Sequence, residues 1–252
     1  MEKIKIGIIP AAGQGKRMGD LSRILPKCLL PLYDKPLIVH IIENMKREGI
    51  EEIYVPIFFK KELMKEYLTH VDFGITIHII ELERLTGGIA LTIGSAEKYI
   101  KNPFMVVLGD DCTISKSLNN LTTAFFKHKC VALEGVVREQ NKELLTQTCC
   151  LELNKNNKIL EIIEKPSLPS TNTRGIGIYM FSPDVFDYIK KTPIMPPRNE
   201  VEITNTIRLI AEDGKAYAEF IKGLNININT AEDLFRAWAK IRSTKFRDGI
   251  FR

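Results

Sequence analysis

Pro10-Ala-Ala-Gly13-Gln-Gly15-Lys16-Arg17-Met18, followed by Pro26-Lys27, is the most informative segment of the chain. It begins where a short apolar run, Ile4 to Ile9, ends, so it predicts a first β-strand handing over to a loop. Glycines at 13 and 15 carry no Cβ and let the backbone approach a ligand closely. Successive N–H groups in such a turn form a concavity for an anion. Arg17 and Lys27 add positive charge on the same side of the predicted sheet. A strand, a glycine loop and two cations suit a nucleoside triphosphate, although a glycine pair after a first strand is also an ordinary tight turn. A dinucleotide fingerprint fails because Met18 stands at its last glycine, and a P-loop fails because no Gly-Lys-Ser or Gly-Lys-Thr follows.

Outward from that loop, the first half alternates strands and helices. Strands are expected at Lys5–Pro10, Ile53–Pro56, Ile75–Ile80 and Phe104–Leu108. Helices are expected at Pro36–Arg47, Lys61–Leu68 and Gly88–Tyr99, the last after a Thr86-Gly87-Gly88 turn. This rhythm predicts an α/β fold with a mostly parallel sheet and helices on both faces. The second half is richer in strands, at Val131–Val137, Cys149–Leu153, Ile159–Glu164 and Gly175–Phe181, with Asn154–Lys158 as a polar hairpin turn. Lys165–Thr173 reads as loop. Helices follow at Pro183–Ile189 and Val201–Glu212, then a strand at Asn225–Ile228 and a last helix capped by Thr230. The expected organisation is a single domain, with a nucleotide-binding half (1–115), an antiparallel acceptor half (116–230) and a C-terminal helix and tail (231–252).

Composition narrows the function classes. The 252 residues are 44% hydrophobic and 27% charged, as in an ordinary globular protein. A formal net charge of +5 is mild and suits a small anionic substrate without requiring nucleic acid. The basic run Lys240, Arg242, Lys245, Arg247 and Arg252 reads as a solvated helix tail. Five cysteines (28, 112, 130, 149 and 150) without C-x-x-C spacing indicate neither zinc nor a disulfide framework. No charged-then-apolar leader and no bilayer-length apolar run is present, so a cytoplasmic protein is expected.

Further polar groups gather at predicted strand ends. Gly109-Asp110-Asp111 follows the densest apolar strand, where a carboxylate beside a phosphate loop can hold Mg²⁺, a cation that prefers oxygen ligands. Asp110 is the expected ligand and Asp111 its neighbour, since adjacent side chains point apart. Glu164-Lys165-Pro166 closes another strand with a carboxylate for sugar hydroxyls and a lysine for a phosphate. Asn227, in Asn225–Thr230, offers a neutral oxygen. The four histidines (40, 70, 78 and 128) fall in ordinary helix and strand patterns.

Together AAGQGKRM, PKCLLPLYDKPLI, TGGIA, VLGDD, IIEKP, GIGIYMF, EVEIT and NTAEDL resemble, in order and spacing, the sugar-1-phosphate nucleotidyltransferases. Within that family the chain looks most like the glucose-1-phosphate thymidylyl- and uridylyltransferases. The resemblance runs from Ile4 to about Trp238. It implies a Rossmann-like, three-layer nucleotide-diphospho-sugar transferase fold with a mixed, mostly parallel sheet. It also implies condensation of a nucleoside triphosphate, dTTP or UTP, with a sugar 1-phosphate, favouring glucose 1-phosphate, and Mg²⁺ as cofactor. Carried over by position, Ala11, Ala12, Gly13, Gly15 and Gly88 would bind the nucleotide, and Arg17 and Lys27 would be catalytic cations. Glu164, Lys165 and Gly175 would bind the sugar phosphate, and Asp110 with Asn227 would hold the metal. Glu202 falls in an acidic helix start with a structural role. Relatives often assemble as dimers or tetramers, so a homo-oligomer is in keeping with the resemblance.

Departures from the family pattern bear on specificity. Asn227 stands where these thymidylyl- and uridylyltransferases usually carry aspartate, whereas relatives acting on N-acetylglucosamine 1-phosphate use asparagine there. Cys149 replaces a sugar-contacting glycine and should narrow the pocket. Lys16 replaces a frequent threonine, and the base-selecting glutamine expected near Glu81 or Glu83 is missing. No hexapeptide repeat follows, so a second, acyl-transferring activity is not expected. Two alternatives stay open: a non-catalytic regulatory relative, and a cytidylyl- or uridylyltransferase for phosphocholine. The second needs an aromatic box, for which Tyr179, Phe181 and Tyr188 are candidates.

Overall fold

The computed structural model describes residues 3–115, 118–195 and 199–247. In chain order its strands are β1 (Ile6–Ile8), β2 (Pro31–Leu32), β3 (Lys35–Pro36), β4 (Glu52–Ile57), β5 (Thr76–Glu81), β6 (Phe104–Val107) and β7 (Asp111–Ile114). They continue as β8 (Ala132–Arg138), β9 (Cys149–Leu153), β10 (Ile159–Glu164), β11 (Thr173–Phe181), β12 (Ala216–Phe220) and β13 (Leu224–Asn227). The helices are α1 (Asp20–Ile24), α2 (Leu37–Arg47), α3 (Lys61–His70), α4 (Ile89–Gly94), α5 (Asn119–His128), α6 (Lys142–Gln147), α7 (Val185–Lys191), α8 (Ile203–Glu212) and α9 (Ala231–Arg247).

Nine strands form one mixed central sheet. The run β5-β4-β1-β6 is parallel throughout. β11 then lies antiparallel to β6 through Ile178–Phe181, and on its other edge antiparallel to β8, which pairs in parallel with β12. The amino-terminal part of β11 leaves β6 and meets β9 at Arg174, so the β9–β10 ribbon branches from the sheet. This is the antiparallel extension expected from the second half. Its hairpin turn is closed by Asn154 N–H to the Lys158 carbonyl at 3.0 Å, with Asn157 in the left-handed region.

Apolar side chains pack on both faces of the sheet, giving three layers. One face carries Ile38, Ile41 and Met45 of α2, Met64 of α3 and Leu121 of α5; the other carries Ile93 of α4, Phe186 of α7 and Ile207 and Ile210 of α8. All of β6 is buried, as its run of Phe104-Met-Val-Val107 predicts for a strand covered on both sides.

The local differences from expectation have physical reasons. The helix expected over Gly88–Tyr99 is two pieces, α4 and a 3₁₀ turn at Glu97–Tyr99. β7, α5 and β12 lie where no strand or helix is expected from sequence, because short segments owe their form to neighbours rather than to their own periodicity. Thr230 caps α9 as expected: its Oγ1 accepts from Asp233 N–H at 3.2 Å, and the Asp233 carboxylate accepts in return from Thr230 N–H at 3.0 Å. Arg252 of the basic tail lies outside the described residues. All five cysteines are buried and free, and among the described residues no helix is long and apolar enough to cross a membrane.

Candidate functional site

An open cleft is lined by Arg17, Glu164 and Lys165 among others. Asp110, Gly175, Asn227 and Cys149 also line it. The loop after β1 supplies its first wall. Ala11, beyond the end of β1, forms an isolated bridge to Ile57 and donates its N–H to the Pro56 carbonyl at 3.0 Å, so this amide is taken by the protein rather than offered to a ligand. Ala12 is buried beside it, Gly13 has open space where a Cβ would stand, and Gly15 takes φ 63° to start the 3₁₀ turn that carries Arg17.

The two cations have separate anchors, and of the two Arg17 lines the cleft. Arg17 donates to Asn229 Oδ1 at 2.7 Å. Lys27 Nζ lies 2.8 Å from Asp110 Oδ2, and both groups are largely buried. Gly109 allows this approach: a Cβ there would stand 2.7 Å from Cys28 Sγ and 2.9 Å from the Pro10 carbonyl.

Asp110 and Asp111 divide as expected from adjacent residues. Asp111 points inward, accepting from Gly177 N–H at 3.1 Å, Asn225 at 2.6 Å and Thr113 at 2.5 Å. Burial pushes its carboxyl up to about 6 despite these donors. It holds β7, β11 and β13 together. Asp110 faces the cleft, and its carbonyl accepts from Ile228 N–H at 2.8 Å. That bond and the β7–β13 ladder, with Asn227 opposite Asp111, bring Asn227 beside Asp110.

Buried Asn227 Oδ1 has no hydrogen-bond partner. A carboxylate next to an orphaned amide oxygen is a donor set of the kind Mg²⁺ accepts when substrate phosphates and water complete its shell. The residues present therefore fit a divalent cation. Among the described residues no cluster of three or more His, Cys, Asp or Glu forms a closed metal cage.

Also on the cleft, Glu164 is engaged on both oxygens, with Lys165 Nζ at 3.0 Å and Thr204 Oγ1 at 2.8 Å. Lys165 adopts φ 46°, and its N–H is fixed by the Thr148 carbonyl at 2.8 Å. A non-glycine residue held in the left-handed region next to a cleft marks a place where structure outweighs local preference. Gly88, at φ 140°, is pressed against the backbone of Val201, where a Cβ would meet the carbonyl oxygen at 2.4 Å; its neighbour Ile89 is the residue that lines the cleft. Gly175 faces Glu134 and Cys149. Glu202 begins α8, with its carbonyl capping Asn205 and Thr206, and also lines the cleft.

Sequence reasoning missed Asn229, Thr204 and Glu134. The first two sit inside quoted motifs (NTAEDL begins on Asn229, and EVEIT ends on Thr204), so membership of a motif was the available signal. Glu134 lies within an apolar strand pattern and gave none. The aromatic candidates do not form a box: Tyr179 lines the cleft, Phe181 is fully buried in the core, and Tyr188 bonds Asp213 on the helical layer.

Comparison with known proteins agrees with this geometry. The chain is 30% identical over 242 residues to the bifunctional protein GlmU of Methanocaldococcus jannaschii, covering 95% of this chain and 53% of that one. It is 29% identical to the low-salt glycan biosynthesis nucleotidyltransferase Agl11 of Haloferax volcanii, covering 92% and 64%. It thus spans about half to two thirds of the length of these relatives. A Bacillus anthracis structure described as a glucose-1-phosphate thymidylyltransferase, in complex with sucrose, superposes with a TM-score of 0.83 at 27% identity over 95% of each chain. A UDP-glucose pyrophosphorylase complexed with UDP-glucose superposes at 0.85 with 24% identity, covering 96% of this chain and 99% of that one, and shares the fold. The nucleotidyl transferase family model matches residues 6–244, nearly the whole chain, with the glycine loop, both cations and Asp110 inside it: this protein belongs to the nucleotidyl transferase family.

Proposed function

We propose that the protein transfers a nucleotidyl group from a nucleoside triphosphate, UTP or dTTP, to a sugar 1-phosphate, glucose 1-phosphate first of all. One observation carries this reading: Arg17, Asp110 with the orphaned Asn227 oxygen, and the Glu164–Lys165 pair line one cleft, and Lys27 is tied to it through its ion pair with Asp110.

A phosphate oxygen of the acceptor attacks the α-phosphorus in line, the bond to the bridging oxygen of the β-phosphate breaks, and pyrophosphate leaves. The attacking phosphate is already ionised near neutral pH, so the chain needs no general base. Its work is positioning and charge neutralisation. Gly13 and Gly15 leave the loop backbone accessible to the triphosphate. Arg17, steadied by Asn229, and Lys27, steadied by Asp110, offset negative charge on the phosphates. Lys165 takes the acceptor's phosphate, and Glu164 accepts from sugar hydroxyls. Asp110 and Asn227 would hold Mg²⁺, which would add charge neutralisation on the triphosphate.

Pyrophosphate release with magnesium tests the reading, over ATP, GTP, CTP, UTP and dTTP against glucose, galactose, mannose and N-acetylglucosamine 1-phosphates and phosphocholine. Release in one sugar column supports it. Release with phosphocholine alone, or silence from a folded protein that binds nucleotide, overturns it.

A further inference from the structure

Glu134 is fully buried on β8, opposite Tyr179 of β11, and the mechanism above does not use it. Its carboxyl abuts Gly175 and Cys149, both of which line the cleft. A Cβ on Gly175 would lie 2.1 Å from Glu134 Oε1, so the glutamate occupies the volume that a side chain at 175 would fill. Oε1 accepts from the Cys149 thiol at 3.3 Å, and Oε2 has no partner. Gly175, Cys149 and Tyr179, which surround it, all line the cleft.

A buried carboxyl oxygen without a hydrogen bond costs stability that an apolar residue of similar size would not lose. Such a group is explained when a ligand completes it. The screen between this carboxyl and the cleft is thin: glycine at 175 has no side chain, and the Cys149 thiol turns about one bond. Resting on the sugar 1-phosphate reading, we propose that Glu134 is a specificity-determining residue of the acceptor pocket, whose Oε2 exchanges a hydrogen bond with one hydroxyl of the bound sugar.

A hydroxyl fits this position better than an amine or a carbonyl. Burial, with Glu164 nearby, pushes the Glu134 carboxyl up to about 8, so it is largely protonated near neutrality. A hydroxyl accepts from the protonated carboxyl and donates to the ionised one, and so serves both states. An ammonium only donates and a carbonyl only accepts.

The test uses the full chain, its preferred nucleoside triphosphate, and glucose 1-phosphate beside analogues each lacking one hydroxyl. Wild type is expected to discriminate against one analogue by on the order of 10²-fold or more in kcat/KM, because its loss leaves the buried carboxyl unpaired. In Glu134→Leu that discrimination is expected to shrink to within about threefold, while the KM for the nucleotide stays put. Glu134→Gln, which still donates and accepts, is expected to keep part of it and covers the case in which Glu134→Leu does not fold. The same analogue ratios in all three enzymes, or a rise in nucleotide KM equal to that for the acceptor, would overturn the proposal. If wild type turns over none of the sugar 1-phosphates, the parent reading falls and this one with it, a result distinct from active enzymes with unchanged ratios.

Discussion

Lys27 Nζ sits 2.8 Å from Asp110 Oδ2, joining the end of the glycine loop to the end of the central strand β6. This pair puts in contact the lysine we propose for the triphosphate and the carboxylate we propose for the metal. Lys27→Ala is expected to lower kcat on the order of 10²–10³-fold, as when one transition-state donor is removed. Asp110→Ala is expected to leave a folded protein whose pyrophosphate release does not rise as magnesium is added. A magnesium titration curve like that of wild type would take Asp110 out of the metal site.

Arg17 is aimed by Asn229, which stands just before the last helix. Arg17→Ala is expected to cost on the order of 10²-fold or more in kcat. Asn229→Ala, which leaves the guanidinium in place but unsteadied, is expected to cost roughly tenfold or less. Steady-state kinetics of both variants checks the order; equal losses would make Asn229 a ligand in its own right.

Lys165 is bound to Glu164, held at a positive φ and lines the cleft. Lys165→Ala is expected to raise the KM for the sugar phosphate by roughly 10–100-fold, the worth of a charge-assisted hydrogen bond, with the nucleotide's KM unchanged. A change confined to the nucleotide's KM would assign this lysine to the wrong substrate.

Gly175 and Glu134 share one volume. Gly175→Val is expected to destabilise the fold by about 1–3 kcal/mol through overpacking. Adding Glu134→Ala is expected to restore part of that loss, with a coupling on the order of 1 kcal/mol in urea unfolding. Strict additivity would show that the two side chains do not compete.

The same glutamate gives stability a pH dependence of defined sign. Its carboxyl is raised from 4.5 to about 8 on folding, chiefly by burial. The native state therefore binds an extra proton over that interval. The contribution of Glu134 is fully present below about pH 4.5 and is lost as pH rises through about 8. Relative to Glu134→Gln, wild type is expected to lose Tm progressively across that range. Parallel Tm profiles for the two proteins would contradict it.

Much of this was legible in the sequence because it is local. The glycine loop, the buried run of β6 and the Thr230 cap depend on residues within a few positions of one another, so periodicity and turn chemistry report them directly. The candidate site was legible through motifs that each end a strand, since strand ends in an α/β sheet gather at one edge. What only the tertiary structure decided is who meets whom. Arg17 finds Asn229, Asn227 comes beside Asp110, and Thr204 holds Glu164, each across a separation that no local pattern spans. Glu134 is the clearest case. In sequence it interrupts an apolar strand, and its place behind Gly175 depends on the β8–β11 ladder, whose register shifts between Gly175 and Tyr179. Strand pairing and packing choose the partner of a buried charge, and these are properties of the whole folded chain.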